Sequence, residues 1–238
     1  MRRIRLRTGP AALFGAIFVV ALILFLPMRL ALGWMGLGGL GIAARQVHGS
    51  VWFGELIEVH AGGVDLGDVA AGVTPVPLVL GRAHVAVKGE DDAPLQGTLS
   101  LSRHSFGVVD LTAGMTGGAA FAPLPVTDLD LDDVTARFKD GACNHAEGRV
   151  RITLAGAIGG VALPQVMAGT ARCDGTSLLL PLASTAGTES LDLRLNANDS
   201  YRADLAMRTG DPQLAAKLQV AGFRPSANGY LLSLQGRY

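Results

Sequence analysis

The sequence predicts an all-β fold: one N-terminal transmembrane helix followed by a curled, mainly antiparallel β-meander domain. Three observations carry that prediction. An uncharged stretch separates Arg7 from Arg29. From Val47 to the last residue, apolar and polar side chains alternate with the period of two that marks a half-buried strand. Glycine supplies 32 of the 238 residues while aromatics make up 5%, a composition suited to many short strands joined by turns.

Residues 1–10 read as a cytoplasmic tip, with Arg2, Arg3, Arg5 and Arg7 and no acid before Glu55. Residues 11–32 read as the anchor. The 21 residues between Arg7 and Arg29 carry no charge, and as a helix they would span roughly 30 Å, the thickness of a bilayer's hydrocarbon. Pro10 suits a first turn, and Pro27 ends or kinks the helix near the far interface. The arginine excess keeps the N-terminus inside and sends the remainder across. A cleavable signal peptide is the competing reading, but its apolar core is shorter than Ala11–Leu26 and Arg29 stands where a cleavage site belongs. The expectation is an uncleaved, single-pass protein of a bacterial inner membrane, with the bulk of the chain in the oxidising periplasm.

Residues 33–46 are apolar but glycine-rich and read as a juxtamembrane linker or short helix, with Trp34 near the headgroups. "GLGGLG" (Gly36–Gly41) superficially resembles a nucleotide loop, but it follows an apolar helix instead of a strand.

Residues 47–238 read as one periplasmic β domain. "HGSVWFGEL" (His48–Leu56) is expected to be its first strand. There Trp52 and Phe53 would point to opposite faces, one into the core and the other toward a neighbouring layer or partner. Gly49 and Gly54 would allow bends at its ends. Further on, "TESLDLRLNAN" sets Leu191, Leu193 and Leu195 against Asp192, Arg194 and Asn196, and "YRADLAMRT", "KLQVAGF" and "YLLSLQGRY" continue the pattern. "GEDDAP", "TGGAAFAPLP", "FKDGAC", "TGDP" and "PSANG" read as turns. The expectation is about ten to fourteen strands of ordinary length and no amphipathic helix after Gln46. A sheet of this kind must curl, close or pack on itself to bury a face.

Cys143 and Cys173 are the two cysteines. A fold about Ile158 and Gly159, with paired residue numbers summing to 316, places them opposite each other. It also sets Val150 opposite Val166, Gly148 opposite Ala168 and Ala146 opposite Thr170. That register segregates polarity as well, so a structural disulfide across a hairpin is expected, with Pro164 at the edge or near the turn. Closing such a loop contributes about 3 kcal/mol in the chain-entropy model. No Cys-x-x-Cys occurs to suggest redox or metal chemistry.

His48, His60, His84, His104 and His145 show no helical His pair and no zinc spacing, and read as strand-face residues. Asp128, Asp130 and Asp132 share one strand face, beside Asp133. Three carboxylates could gather calcium, but the EF-hand spacing and its glycine are missing, and solvated strand carboxylates are the alternative. No Gly-x-Ser-x-Gly, Walker A or dinucleotide fingerprint is present. No catalytic residue, cofactor, metal site or small-molecule substrate is implied. Formal net charge is zero, and no basic patch with interleaved aromatics suggests nucleic acid.

A basic tip, one anchor and "GSVWFG" some twenty residues later resemble the type II secretion system protein N family (general secretion pathway protein N). "VTPVPLVLGR" (Val73–Arg82) resembles that family's proline-leucine segment. "GACNHAEGRV" (Gly141–Val150) and "GTARCDGTSLLLPL" (Gly169–Leu182) resemble its two cysteine segments. The resemblance implies an inner-membrane accessory of the apparatus that exports folded proteins across the outer membrane of Gram-negative bacteria. Its partners would be other secretion subunits, and no catalytic residue carries over. A single anchor followed by a glycine-rich β meander also looks like periplasmic AsmA-type proteins, which implies lipid handling in a curled sheet or envelope maintenance. Long strands with an apolar concave face would favour that alternative, and a closed, filled core would favour export.

Overall fold

Alternating side chains, frequent glycines and short polar connections give a chain that runs up and down one sheet. The computed structural model describes residues 10–30, 42–61, 64–89, 94–116, 125–158, 160–198 and 200–237. The arginines of the tip, Trp34 and "GLGGLG" lie outside the described residues.

Strands β1 (Ile42–Gly49), β2 (Gly54–Ala61), β3 (Val64–Val73), β4 (Arg82–Gly89), β5 (Leu95–Ser102), β6 (Ser105–Thr116), β7 (Val126–Lys139) and β8 (Ala142–Leu154) form an antiparallel meander. The sheet continues through β11 (Val166–Thr170), β13 (Ser177–Ser184), β14 (Glu189–Leu195), β15 (Ser200–Met207), β17 (Gly229–Arg237) and β16 (Arg224–Ser226), while β12 (Arg172–Asp174) pairs beside β13. These 15 strands form one open sheet, with β1 at one edge and β16 at the other. β9 (Ala157–Ile158) and β10 (Val161–Ala162) make a separate small hairpin. The count exceeds the expected ten to fourteen because the chain also makes two- and three-residue strands that alternation cannot register. β1 begins at Ile42, inside the stretch read as linker.

α1 (Pro10–Leu24) has 15 residues, about 22 Å of helix. No helix of the described residues is long and apolar enough to cross a membrane. Among the described residues two helices interrupt the β domain, α2 (Pro75–Val79) and α3 (Pro212–Val220), and α3, with one buried apolar side, runs contrary to expectation. "TGDP" is the start of α3 and not a plain turn. The Asp211 carboxylate accepts the Gln213 N–H at 2.8 Å and Pro212 follows in the first turn, a standard N-terminal arrangement. The helix is amphipathic only through Leu214 and Leu218, too few apolar positions to show as a period.

The core lies against one face of β7, β8, β11, β13, β14 and β15, where α3 contributes the fully buried Leu218, and Phe223 and Val161 close it. β7 supplies Leu129 and Leu131, and then Val134, Ala136 and Phe138. The parity changes because Asp133 sits at φ 55 in a β-bulge between Asp132 and Thr135, and one extra residue returns the other side-chain set to the core. Asp110 in β6 and Glu58 in β2 also have positive φ beside register shifts.

β8 and β11 are antiparallel neighbours, as expected, but the 316 register is wrong for them. Their paired numbers sum to 319: Val150 opposes Gly169, Ile152 opposes Met167, and Thr153 opposes Val166. The β9–β10 hairpin keeps that sum. An odd shift turns the other face of β11 inward. Met167 is thereby fully buried while Val166 stays 38% exposed, which removes the larger apolar side chain from water. Gly169 also falls where any Cβ would collide with the Pro181 carbonyl.

The disulfide forms regardless. Cys143 and Cys173 are bonded, with Cα atoms 5.6 Å apart. Ala171 N–H still donates to Gly148 O at 2.9 Å in the 319 register. Below that point β8 takes five residues to reach its cysteine where the partner arm takes two. Gly148, at φ 106, lies against the Asp133 and Val134 backbone with no room for a Cβ, and permits the bend. Pro164 falls between β10 and β11, outside any strand.

Candidate functional site

The segment "GSVWFG" is a hairpin loop and not a strand. Gly49 ends β1, Gly54 begins β2, and the two are paired. Ser50 N–H donates to Phe53 O at 3.0 Å, and Phe53 N–H donates back to Ser50 O at 3.1 Å. Gly49 is needed at φ 82, where its Cβ would also strike the Phe53 carbonyl. The two aromatics therefore do not alternate across a pleat. Phe53 is 86% exposed, and Trp52 is half-buried.

Three parts of the chain meet at this loop. Val51 N–H donates to Leu26 O at 3.0 Å, just past the end of α1. Pro27 forms a bridge with Ser50. Val73 N–H, at the end of β3, donates to Val51 O at 2.9 Å. Met28, 5% exposed, packs where a side chain on Gly54 would stand. On the other side, a Cβ on Gly72 would come within 2.5 Å of the Trp52 carbonyl oxygen. The loop is thus clamped between the segment after α1 and the sheet: Gly54 leaves room for the Met28 side chain, and Gly72 is a close backbone approach.

Beside it lies an open groove of about 1270 Å³, floored by small or short side chains such as Ala70, Ala86 and Thr98 and walled by Trp52, Phe53 and Lys88. The floor is low because cross-strand partners there are small: Gly72 opposes Ala86, which opposes Thr98.

The other sequence-singled residues are distributed elsewhere. Asp128, Asp130 and Asp132 line the exposed side of β7 opposite Thr153, Arg151 and Arg149. Asp132 accepts from Arg149 Nη2 at 2.6 Å. Among the described residues no group of three or more His, Cys, Asp or Glu could hold a metal ion. His145 Nε2 lies 3.1 Å from Glu147, and His48 Nε2 lies 3.0 Å from Gln46 Oε1. The five histidines are spread over β1, β2, β4, β8 and the turn before β6. The densest charge cluster was not anticipated. Asp204 on β15 accepts from Arg202, from Arg194 Nη1 at 3.3 Å and from Ser233 Oγ at 2.6 Å. Burial pushes its carboxyl up, but those three donors outweigh burial and hold it below the ordinary value of 3.8. Arg194 also binds Asp174 at 3.1 Å, beside the disulfide. This cluster ties β12, β14, β15 and β17 together and presents no reactive geometry.

The four quoted motifs each include a connection at the same end of the sheet. The Ser50–Phe53 loop, the segment around α2, the turn before Cys143 and the turn after Cys173 all lie at the end of the sheet where the chain leaves α1. The pairings Gly49–Gly54, Val73–Val85, Lys139–Ala142 and Asp174–Ser177 fix this. A family model described as Type II secretion system (T2SS), protein N, matches residues 40–232. No curated protein and no solved structure matches the chain.

Proposed function

The chain belongs to the type II secretion system protein N family, and from that premise we propose that it is an inner-membrane-anchored, periplasmic accessory supporting export of folded proteins across the outer membrane. That it is a component of this secretion system follows from the family. The anchor, the compartment and the partners are our reading. The family match over most of the β domain is the observation that carries it.

Support for the anchor comes from α1. It is apolar all round, and Phe14 and Ile17 are 73% and 60% exposed. Such a helix is at home in lipid. We assign α1 to the membrane, the residues before it to the cytoplasm, Leu26, Pro27 and Met28 to the membrane surface where they meet the Ser50–Phe53 loop, and residues 31–41 to the connection that reaches β1. Residues 47–238, together with the start of β1, go to the periplasm. Periplasmic residence also suits the disulfide. No catalytic role is proposed. The Trp52–Phe53 loop and its groove are the proposed contact with other secretion subunits, because the loop is rigidly held and Phe53 projects. Photo-cross-linkers at Phe53 should capture another secretion subunit in cells. Capture only of lipid, with secretion intact in the cross-linker strain, would remove that contact.

One observation favours lipid handling as a second reading. The sheet is open, and its apolar face continues past the covered core: Leu101 and Phe106 are 47% and 44% exposed, while Phe106 stacks on the core residue Phe138.

A further inference from the structure

We infer that the lower end of the sheet, from α2 to the β7–β8 turn, rests on the anionic surface of the same membrane that holds α1. This inference rests on the membrane reading above. It adds that the β domain lies against the bilayer in a fixed attitude and is not suspended above it.

The observations are independent of the family. α1 does not hand over to a free tether at this point. Leu26 and Pro27 are bonded into the Ser50–Phe53 loop, and that loop is bonded to Val73. Thr74 N–H donates to His84 O at 2.9 Å, which sets α2 at the same end, one step from the loop. α2 and the residue that follows it present apolar side chains outward: Val76 and Leu80 are 72% and 74% exposed. Phe25, at the end of α1, is 79% exposed. Apolar side chains at the foot of a membrane helix match the acyl–headgroup boundary.

The charges alongside have the complementary sign for anionic lipid. Arg82 opposes Ser102 at the start of β4. Arg103 lies in the turn before β6, and Lys139 opposes Ser105. All three are exposed, as is Arg29 next to the clamped segment. Among the described residues the carboxylates at this end are Glu55, Asp140 and Asp174, and Asp174 is engaged by Arg194. Basic side chains within a Debye length of an anionic surface each favour contact. The opposite end of the sheet holds the exposed β13–β14 turn at Ala186 and, on α3, one strongly exposed apolar side chain, Val220 at 89%.

The test uses the full chain in phosphatidylethanolamine–phosphatidylglycerol nanodiscs, with the native disulfide intact. A nitroxide is placed in turn at Val19→Cys, Leu80→Cys, Val76→Cys and Ala186→Cys. Collision with oxygen is compared with collision with a water-soluble nickel complex. The label at Val19 is expected to read hydrocarbon. Leu80 and Val76 are expected to read the interface, with an oxygen-to-nickel ratio several-fold above that of Ala186. The ratio should fall when Arg82 and Arg103 are changed to Glu or when phosphatidylcholine replaces the anionic lipid. Labels at both Leu80 and Val76 matching Ala186, with Val19 in hydrocarbon, overturn the inference and leave the anchor standing. Val19 reading water overturns both.

Discussion

Thr135 Oγ1 accepts the backbone N–H of Asp110 at 3.1 Å and lies 3.3 Å from Asp110 Oδ1, to which it donates. Thr135 is 4% exposed, and Asp110 occupies the bulge of β6 at φ 51. A reciprocal device sits one pair away, where Thr112 Oγ1 accepts the N–H of the β7 bulge residue Asp133 at 3.3 Å. Two strands therefore hold each other's bulges, and the bulges decide which side chains of β6 and β7 reach the core.

Thr135→Val keeps the shape and removes the hydroxyl. It strands the Asp110 amide, and a cost of about 1–3 kcal/mol is expected. Urea titration measures the loss, and amide exchange at Asp110 should accelerate. Thr135→Ser should retain most of the stability.

Gly72→Ala places a methyl within 2.5 Å of the Trp52 carbonyl oxygen. The loop must lift, at about 1–3 kcal/mol. Trp fluorescence should change in the folded state, since Trp52 moves with the loop. An unchanged spectrum with unchanged stability would show that the loop is not seated on β3.

Reducing Cys143–Cys173, or replacing both with Ser, should destabilise the β domain by about 3 kcal/mol. Peptide mapping without reductant should join the two cysteine peptides. The Asp174–Arg194 contact lies beside the bond, so Arg194→Ala and the cysteine replacement are expected to be non-additive.

Asp204 sets an acid limit. Its carboxyl is depressed on folding, so its contribution is complete above the unfolded aspartate value and is lost as pH falls through the folded one. Asp204→Asn should be less stable than the parent at neutral pH, and the difference should shrink below the ordinary aspartate range. Urea midpoints across that range read it directly.

Much of this was legible from residues. Leu191, Leu193 and Leu195 alternate as β14 does, and Cys143 and Cys173 pair. Three things were not legible, each for a local reason. The aromatic pair at Trp52–Phe53 looked like strand filling, yet Gly49 and Gly54 were bounding a loop, a role that only the pairing of β1 with β2 reveals. The 316 register satisfied the cysteines but not Met167, because a bend at Gly148 lets the bond and the ladder follow different sums. α3 was hidden because Asp211-Pro212 serves equally as a turn signal and a helix start. At the candidate site, the Gly72 approach and the Leu26–Val51 bond join residues distant in sequence, and no spacing announces them.

The export role itself is tested most directly in a strain lacking this protein, by locating folded exoproteins while scoring detergent resistance of the envelope. The account predicts exoproteins trapped in the periplasm with the envelope intact, restored by the full chain. Continued export with an envelope weakened to detergent would contradict it and point to lipid handling.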